Sequence, residues 1–316
     1  YDAIWWDSAV YIGMGKYIYS IGNAGLWENL RPVVWPLILG FLWKTGLNVV
    51  LLGRILEIIF GALCVLLTYI IAERLFNKKI AILSSIFLAL SPTFFFFNGI
   101  MLTEIVSTFF SLAAIYFFIE NKHLISGVFF GVAFLARFLQ ILIFVSAFLV
   151  LLFYLDKKNI KNLSKVGVGF GIILLPYLVI NQILYNDILF PFAQHIIITK
   201  NSGWLNHQPL NFYFFELFKE NLFYLLSVLG VLLIFKNKDS NKKIIAAAFL
   251  LAFIFFNLIR QKEMRFLIIL MPYMYILISL SIVYLFNKIQ NDFYKTIFII
   301  VIFLSLSYSA HNIYLY

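Results

Sequence analysis

The chain has 316 residues, of which 63% are apolar and only 12% are charged, and its mean hydropathy is +0.97. A soluble domain has about 45–50% apolar and about 25% charged residues. The composition therefore excludes a soluble enzyme, a disordered tail and, with one cysteine, a disulfide scaffold, and it indicates a polytopic membrane protein. The net charge of +10 does not imply nucleic acid, because membrane proteins collect basic residues in cytoplasmic loops.

Ten apolar segments predict membrane-spanning helices, since a span needs about 20 apolar residues and lipid offers no partner for backbone groups. The segments cover about 48–73, 80–97, 103–119, 124–138, 139–155, 166–185, 221–236, 243–259, 265–286 and 296–314. The chain starts at Tyr1, without an initiator methionine, so we expect a preceding segment whose span would raise the number to eleven. The expected fold is all-α and polytopic.

The distribution of Lys and Arg predicts the orientation of these spans. Alternate connections hold more than half of the 24 basic residues, which assigns them to the cytoplasmic side. The opposite side carries the longer segments and is where we expect chemistry. Four regions follow: an outer-face loop with an interfacial helix at 1–47, a helical bundle at 48–185, a second outer-face loop at 186–220, and the C-terminal spans at 221–316.

The first outer segment places an aspartate beside two tryptophans, in the stretch WWDSAVY that begins at Trp5. Aromatic residues favour the membrane interface, where partial desolvation raises the pKa of a carboxylate toward that of a general base. Asp7 is therefore a candidate base, and an aromatic anchor with a solvated acid is the alternative. The following stretch, 32–44, is apolar but interrupted by Pro36, which predicts an interfacial helix.

The second outer feature is Glu104, just before the apolar segment 103–119. Thr103 or Asn98 is expected to cap the helix, which puts Glu104 in the first turn, where the helix dipole favours an anion. The functional alternative is a second acid that faces the same cavity as Asp7.

The third outer feature is the basic stretch RQKEMRF, from Arg260 to Phe266, followed by Met-Pro. Three cations in six residues oppose the usual charge asymmetry and suit a phosphate, which Arg binds by paired hydrogen bonds and Lys as a point charge. Snorkelling side chains paired with Glu263 are the alternative. Arg137, alone at an outer helix junction, either joins this phosphate site or snorkels.

Two further groups of residues give weaker signals. Arg54 and Glu57 lie three positions apart on one predicted span, so they share a face and are interpreted as a structural pair. His195 and His207 lie in the second outer-face loop and are weak evidence for a metal. The sequence contains no nucleotide-binding glycine loop and no cysteine–histidine cluster.

These features together resemble the GT-C glycosyltransferases. The outer-face aspartate in WDSAVY from Trp6, the pair Arg31-Pro32 before an interfacial helix, and Gly53-Arg54 opening a span resemble one branch of that superfamily. This branch, related to glycosyltransferase family 39, contains the dolichyl-phosphate-mannose–protein mannosyltransferases and the aminoarabinose transferases. The stretch RQKEMRF resembles the HKExRF element of lumenal mannosyltransferases. In the layout of spans the resemblance extends over nearly the whole chain.

The resemblance implies an inverting enzyme that moves a sugar from a dolichyl or undecaprenyl phosphate to an acceptor hydroxyl. Its active site would lie on the extracytoplasmic side of the cell membrane. Asp7 matches the catalytic acid of the first loop, and Glu104 matches a commonly acidic position in the second. Ser8 stands where the family usually has a glutamate, and Gln261 where it has a histidine, so no second carboxylate or metal role is carried over to Ser8.

We therefore expect Asp7 to act as general base and Glu104 to orient hydroxyl groups. The cations expected to stabilise the leaving phosphate are Lys262, Arg265, Arg260 and Arg137. The residues expected to contact the substrate are Tyr11, Arg31 and Trp6. Basic side chains alone can balance a leaving phosphate, so a divalent metal is not required.

The expected partners are the lipid-linked sugar, membrane lipids and a lipid, glycan or protein acceptor, without nucleic acid. The alternative function is a transporter or flippase of lipid-linked glycans, which would hold the phosphate without cleaving a bond. That alternative predicts charged groups in the middle of spans and two pseudo-symmetric halves.

Overall fold

The computed structural model describes residues 4–153, 157–201, 206–236 and 239–313, and none of these lies in a β-strand. The predicted all-α fold is therefore confirmed for the described part of the chain. Its α-helices are α1 (Trp6–Tyr19), α2 (Val34–Lys44), α3 (Val49–Leu75), α4 (Lys78–Ala89), α5 (Pro92–Phe97), α6 (Thr103–Ile119), α7 (His123–Ala136), α8 (Ile141–Phe153), α9 (Lys157–Tyr185), α10 (Phe190–Asn201), α11 (Phe212–Glu220), α12 (Leu226–Phe235), α13 (Ser240–Leu258), α14 (Met271–Lys288) and α15 (Asp292–Ile313). Short 3-10 helices cover Phe138–Gln140, Leu222–Leu225 and Met264–Ile269.

Within the described residues, four helices are long and apolar enough to cross a membrane. They are Val49–Leu75, Ile160–Tyr185, Ser240–Leu258 and Asp292–Ile313. Shorter apolar helices cover Val34–Lys44, Thr103–Ile119, His123–Ala136, Phe138–Phe153 and Leu222–Phe235. Every predicted apolar segment contains helix, whereas ten or eleven complete spans stay a prediction.

At two prolines the helix boundaries in the structure differ from those predicted from the sequence. The segment 80–97 is not one helix, because α4 ends at Ala89 and α5 starts at Pro92. Proline has no N–H and its ring clashes with the preceding turn, so it is favoured as the first residue of a helix. Pro36 does not interrupt α2, since it lies in the first turn, where its missing N–H has no intrahelical partner to lose.

The two expected outer-face loops contain helices that the sequence interpretation did not predict. The region 1–47 includes α1, and the region 186–220 includes α10 and α11. Residues 1–3 and 202–205 of these regions lie outside the described residues. Glycines weaken the helical signal of α1, yet Gly15 packs so closely on Gly40 of α2 that a side chain at either position would overlap the other helix.

The chain divides into two compact units, each described by itself. The first unit comprises Tyr1–Gly61, Asn98–Ile141 and Lys161–His207. The second unit comprises Ala62–Phe97, Leu142–Ile160 and Gln208–Tyr316. In the first unit α1 packs on α2, and α6 packs on α7; in the second, the largely buried α14 packs on α4, α12 and α13.

One buried cluster in the first unit positions the carboxylates of Asp7 and Glu104. Its side chains come from α1, α2, α3, α6 and the connection before α6, and they are Tyr11, Ile12, Trp35, Leu39, Val49, Met101 and Val106. The cluster fixes the helix that carries Asp7 against the connection that leads to Glu104.

Candidate active site

Asp7 lies in the first turn of α1 and forms an ion pair with Arg31. Arg31 Nη1 is 2.8 Å from Asp7 Oδ1, and Arg31 Nε donates to Glu28 Oε2 at 2.9 Å. The Asp7 side chain is 21% exposed and that of Arg31 is 18% exposed. The carboxylate is thus held in one orientation and still reaches the surface.

Tyr11 completes this first ion-pair cluster one helical turn beyond Asp7. Its hydroxyl accepts a hydrogen bond from Arg31 Nη1 at 3.4 Å, and the guanidinium carbon lies 5.3 Å from the ring centroid. Burial lowers the pKa of Arg31, but Tyr11 and Asp7 outweigh burial and the pKa is raised above its ordinary value. Tyr11 and Arg31 therefore lie beside Asp7, whereas Trp6 is 77% exposed.

Glu104 lies in the first turn of α6, as the sequence predicts, and is 1% exposed. Arg137 Nη1 lies 2.9 Å from Glu104 Oε1 and donates to Thr103 Oγ1 at 3.0 Å. The predicted capping by Thr103 or Asn98 is wrong: Leu102 precedes α6, and no side chain at that position caps the helix. Thr103 instead contacts the guanidinium.

The surroundings of Arg137 include His195, which is only a weak candidate from its sequence context. Arg137 follows the last residue of α7 and has an extended backbone. The next residue, Phe138, contacts the ring of His195 edge-on with centroids 5.9 Å apart. Burial lowers the pKa of His195, and the charges of Arg137 and Arg31 lower it further. His195, Arg137 and Arg31 all belong to the first unit.

The basic stretch in the second unit is organised around Glu263. Arg265 Nε lies 2.6 Å from Glu263 Oε2, which is the pairing that the alternative interpretation of this stretch expects. The Tyr213 hydroxyl donates to the Glu263 carbonyl at 3.1 Å and accepts from its N–H at 3.2 Å. The Arg265 side chain is 17% exposed.

The two other predicted phosphate ligands of the second unit differ in their surroundings. Lys262 is 3% exposed, and its Nζ donates to the carbonyls of Gln208 at 3.2 Å and Ile259 at 2.6 Å. Burial lowers the pKa of Lys262. Arg260 is exposed, and its carbonyl accepts the N–H of Gln208.

Glu220, at the end of α11 in the second unit, is a buried acid that sequence reasoning did not single out. Its carboxyl group accepts hydrogen bonds from the N–H of Thr93 at 3.1 Å, from the Thr93 hydroxyl and from the Tyr224 hydroxyl at 2.8 Å. Burial raises the pKa of Glu220 to about 7, although the bonds from Thr93 and Tyr224 oppose this shift.

Metal-binding side chains do not cluster in the described part of the chain. Among those residues, no group of three or more His, Cys, Asp or Glu side chains is placed to hold a metal ion.

The fold is similar to solved structures of two larger membrane proteins. ArnT from Cupriavidus metallidurans, in the apo state and bound to undecaprenyl phosphate, matches 88% of this chain with a TM-score of 0.68 and 14% sequence identity. The archaeal oligosaccharyltransferase AglB from Archaeoglobus fulgidus, in complex with an inhibitory peptide and a dolichol-phosphate, matches 97% with a TM-score of 0.66 and 13% identity. The chain spans 55% and 56% of the ArnT chains and 51% of the AglB chain, about half of each.

In sequence, residues 31–180 match the family of dolichyl-phosphate-mannose-protein mannosyltransferases. None of the curated proteins matches the chain. The protein therefore has the GT-C fold, and the predicted resemblance to the GT-C glycosyltransferases is confirmed.

Proposed function

We propose that the protein is a membrane glycosyltransferase that takes its sugar from a polyprenyl phosphate, dolichyl or undecaprenyl, and acts on the extracytoplasmic face. Two lines of evidence support a lipid-linked donor: the family match over residues 31–180, and the fold shared with ArnT bound to undecaprenyl phosphate and with AglB bound to a dolichol-phosphate. That this chain binds a ligand of the same kind is part of the proposal.

The observation that carries the proposal is the pair of arginine–carboxylate contacts in the first unit. Arg31 orients Asp7, and Asp7 remains partly exposed. A general base needs this exposure because it must contact the acceptor hydroxyl. Glu104 is held by Arg137, and both arginines act on His195. Acids, cations and a histidine concentrated in one partly buried place are typical of an active site.

In the proposed reaction the acceptor oxygen attacks the anomeric carbon of the sugar from the side opposite the phosphate. The new C–O bond forms as the bond between the anomeric carbon and the phosphate oxygen breaks, which inverts the configuration. Asp7 takes the acceptor proton as general base. The lipid phosphate leaves with the electron pair, so its charge changes from one to two negative charges and nearby cations stabilise the transition state.

Arg31 gives this site a way to link donor binding to the strength of the base. An adjacent guanidinium favours the charged form of a carboxylate and so weakens Asp7 as a base. A phosphate competes for the same guanidinium, because arginine binds phosphate by paired hydrogen bonds. Donor bound at Arg31 would therefore make Asp7 more basic, while Glu104 orients sugar or acceptor hydroxyls.

In the first unit we assign the remaining stabilisation of the phosphate to Arg137. In the second unit the candidate phosphate ligands that the sequence predicts are Arg265, Arg260 and Lys262. Lys262 already donates to two backbone carbonyls, which leaves one of its three N–H donors for a phosphate. Arg265 is 17% exposed and Lys262 only 3%, which makes Arg265 the stronger candidate of the two.

The experiment is an assay of the full-length protein in membranes, with polyprenyl phosphates carrying different radiolabelled sugars. The proposal predicts that label leaves the lipid fraction and appears in an acceptor with one donor sugar of the panel. A flippase would move the labelled lipid between leaflets and leave the sugar–phosphate bond intact. Translocation without loss of label from the lipid would contradict the proposal.

A further inference from the structure

The five residues before α6, the 98–102 loop, adopt an unusual backbone conformation. Gly99 has φ of 98° and Met101 has φ of 66°, in the left-handed region. This region is uncommon for residues other than glycine and costs free energy, so it persists only where surrounding contacts impose it. Because α6 starts at Thr103, the loop determines where Glu104 lies.

Glu57, a fully buried residue of α3, binds three backbone N–H groups of this loop. Its Oε2 accepts hydrogen bonds from the N–H of Gly99 at 3.0 Å and from the N–H of Met101. Its Oε1 accepts the N–H of Leu102 at 3.0 Å. A carboxylate suits this arrangement because both of its oxygens accept and neither donates.

Two more helices bind the carbonyl groups of the same loop. Ser8 Oγ of α1 donates to the Ile100 carbonyl at 2.6 Å, and Trp35 Nε1 of α2 donates to the next carbonyl at 3.0 Å. Both side chains are buried. Since Ser8 follows Asp7 directly, its bond connects the helix that carries Asp7 to the loop that leads to Glu104.

We propose that Glu57 and Ser8 are positioning residues, which fix the 98–102 loop and thereby set Glu104 and its partner Arg137 relative to Asp7. This inference rests on the proposed function. It also gives Ser8 a role that does not need a carboxylate: its hydroxyl connects the two carboxylate-bearing segments. Neither side chain touches the substrate in this account.

A purely structural role makes a different prediction from a positioning role. A residue that only stabilises the fold lowers the amount of active protein and leaves the turnover of the folded fraction unchanged. A residue that acts through Glu104 lowers kcat in the folded protein, and its effect disappears once Glu104 has been replaced, because residues in one network are not additive.

The test compares Glu57→Gln with Glu73→Gln, a variant of an exposed glutamate on the same helix. Glutamine keeps the size but turns one acceptor into a donor that faces a loop N–H. We expect kcat per folded molecule to fall about 10- to 100-fold, as for a small misplacement of a reacting group, with the donor KM within about twofold. Glu73→Gln should match the wild type.

The decisive measurement is the double variant Glu57→Gln/Glu104→Gln. We expect its kcat to equal that of Glu104→Gln alone, whereas independent losses that multiply would overturn the inference, as would an unchanged kcat in Glu57→Gln. If Glu57→Gln does not fold, Ser8→Ala, which removes one hydrogen bond, takes its place. The kcat of Ser8→Ala/Glu104→Gln is then compared with that of Glu104→Gln alone. Translocation of the labelled lipid by the wild type without sugar transfer would instead refute the proposed function, so the two failures are distinguishable.

Discussion

Glu104, at the start of α6, is joined to Arg137, just beyond the end of α7, by an ion pair with an N–O distance of 2.9 Å. The glutamate side chain is 1% exposed and the arginine side chain 12% exposed. Two charges withdrawn from water in this way are tolerated because each compensates the other, so removing one partner leaves a buried charge with a large desolvation cost.

The first prediction follows from this pair. Arg137→Leu should lower the free energy of unfolding by about 3–5 kcal/mol, because Glu104 stays buried without its compensating charge. The double variant Arg137→Leu/Glu104→Gln should recover part of this loss. Thermal unfolding in detergent measures both, and a double variant no more stable than Arg137→Leu would show that the pair is not energetically coupled.

The second prediction concerns the titration of His195. Burial and the charges of Arg137 and Arg31 lower its pKa, so the ring should stay neutral below the pH at which an exposed histidine protonates. Arg137→Gln removes one of these charges and should raise the pKa, with the ring protonating at higher pH. NMR of labelled histidine measures the shift, with the exposed His207 as internal control. An unchanged His195 pKa would show that Arg137 lies too far from the imidazole to affect its charge.

The third prediction uses the buried acid Glu220, whose pKa is raised from 4.5 to about 7. Between these values the carboxyl group ionises in the unfolded chain but stays protonated in the folded one, so its contribution lowers stability as pH rises. Glu220→Gln removes the titration. The stability of the wild type relative to this variant should therefore fall by about 3 kcal/mol from pH 4.5 to 7.

The control for Glu220 is Asp292→Asn, since the Asp292 side chain is 94% exposed. Its stability over the same pH range gives the background contribution of a surface carboxylate. Parallel stability curves for the wild type and Glu220→Gln would contradict a raised pKa at Glu220.

The fourth prediction tests whether Arg265 binds the donor phosphate. Arg265→Ala should raise the apparent donor KM about 10-fold or more, because a charge-assisted hydrogen bond contributes about 1.5–3 kcal/mol. Lys219→Ala is the matched control, since that lysine side chain is 69% exposed. Initial rates over a range of donor concentrations give both values, and an unchanged KM would remove Arg265 from the phosphate site.

Apolar periodicity and length were sufficient to predict the helical segments of the bundle. The segment 103–119 coincides with α6, and Glu104 lies in its first turn, as predicted. Among the helices that the sequence did not predict, α1 contains two glycines, and close packing of Gly15 compensates for their poor helix propensity. Local sequence carries no record of that compensation.

The sequence predicts which residues belong to the candidate site but not which of them contact one another. Asp7 and Arg31 were each selected from local motifs, whereas their ion pair depends on how α1 lies against the segment before α2. Burial and distant partners are tertiary properties, so the roles of Glu57 as a ligand of backbone N–H groups and of Glu220 as a buried acid were not visible in the sequence.

The proposed mechanism depends most on Asp7 as the general base, and Asp7→Asn tests this role directly. Asparagine keeps the size of the side chain and cannot take the acceptor proton, so the rate of sugar transfer from a polyprenyl phosphate should fall about 10²- to 10⁴-fold. The measurement is the initial rate at saturating donor, with Asp292→Asn expected to retain the wild-type rate. An Asp7→Asn protein that transfers sugar as fast as the wild type would contradict the account.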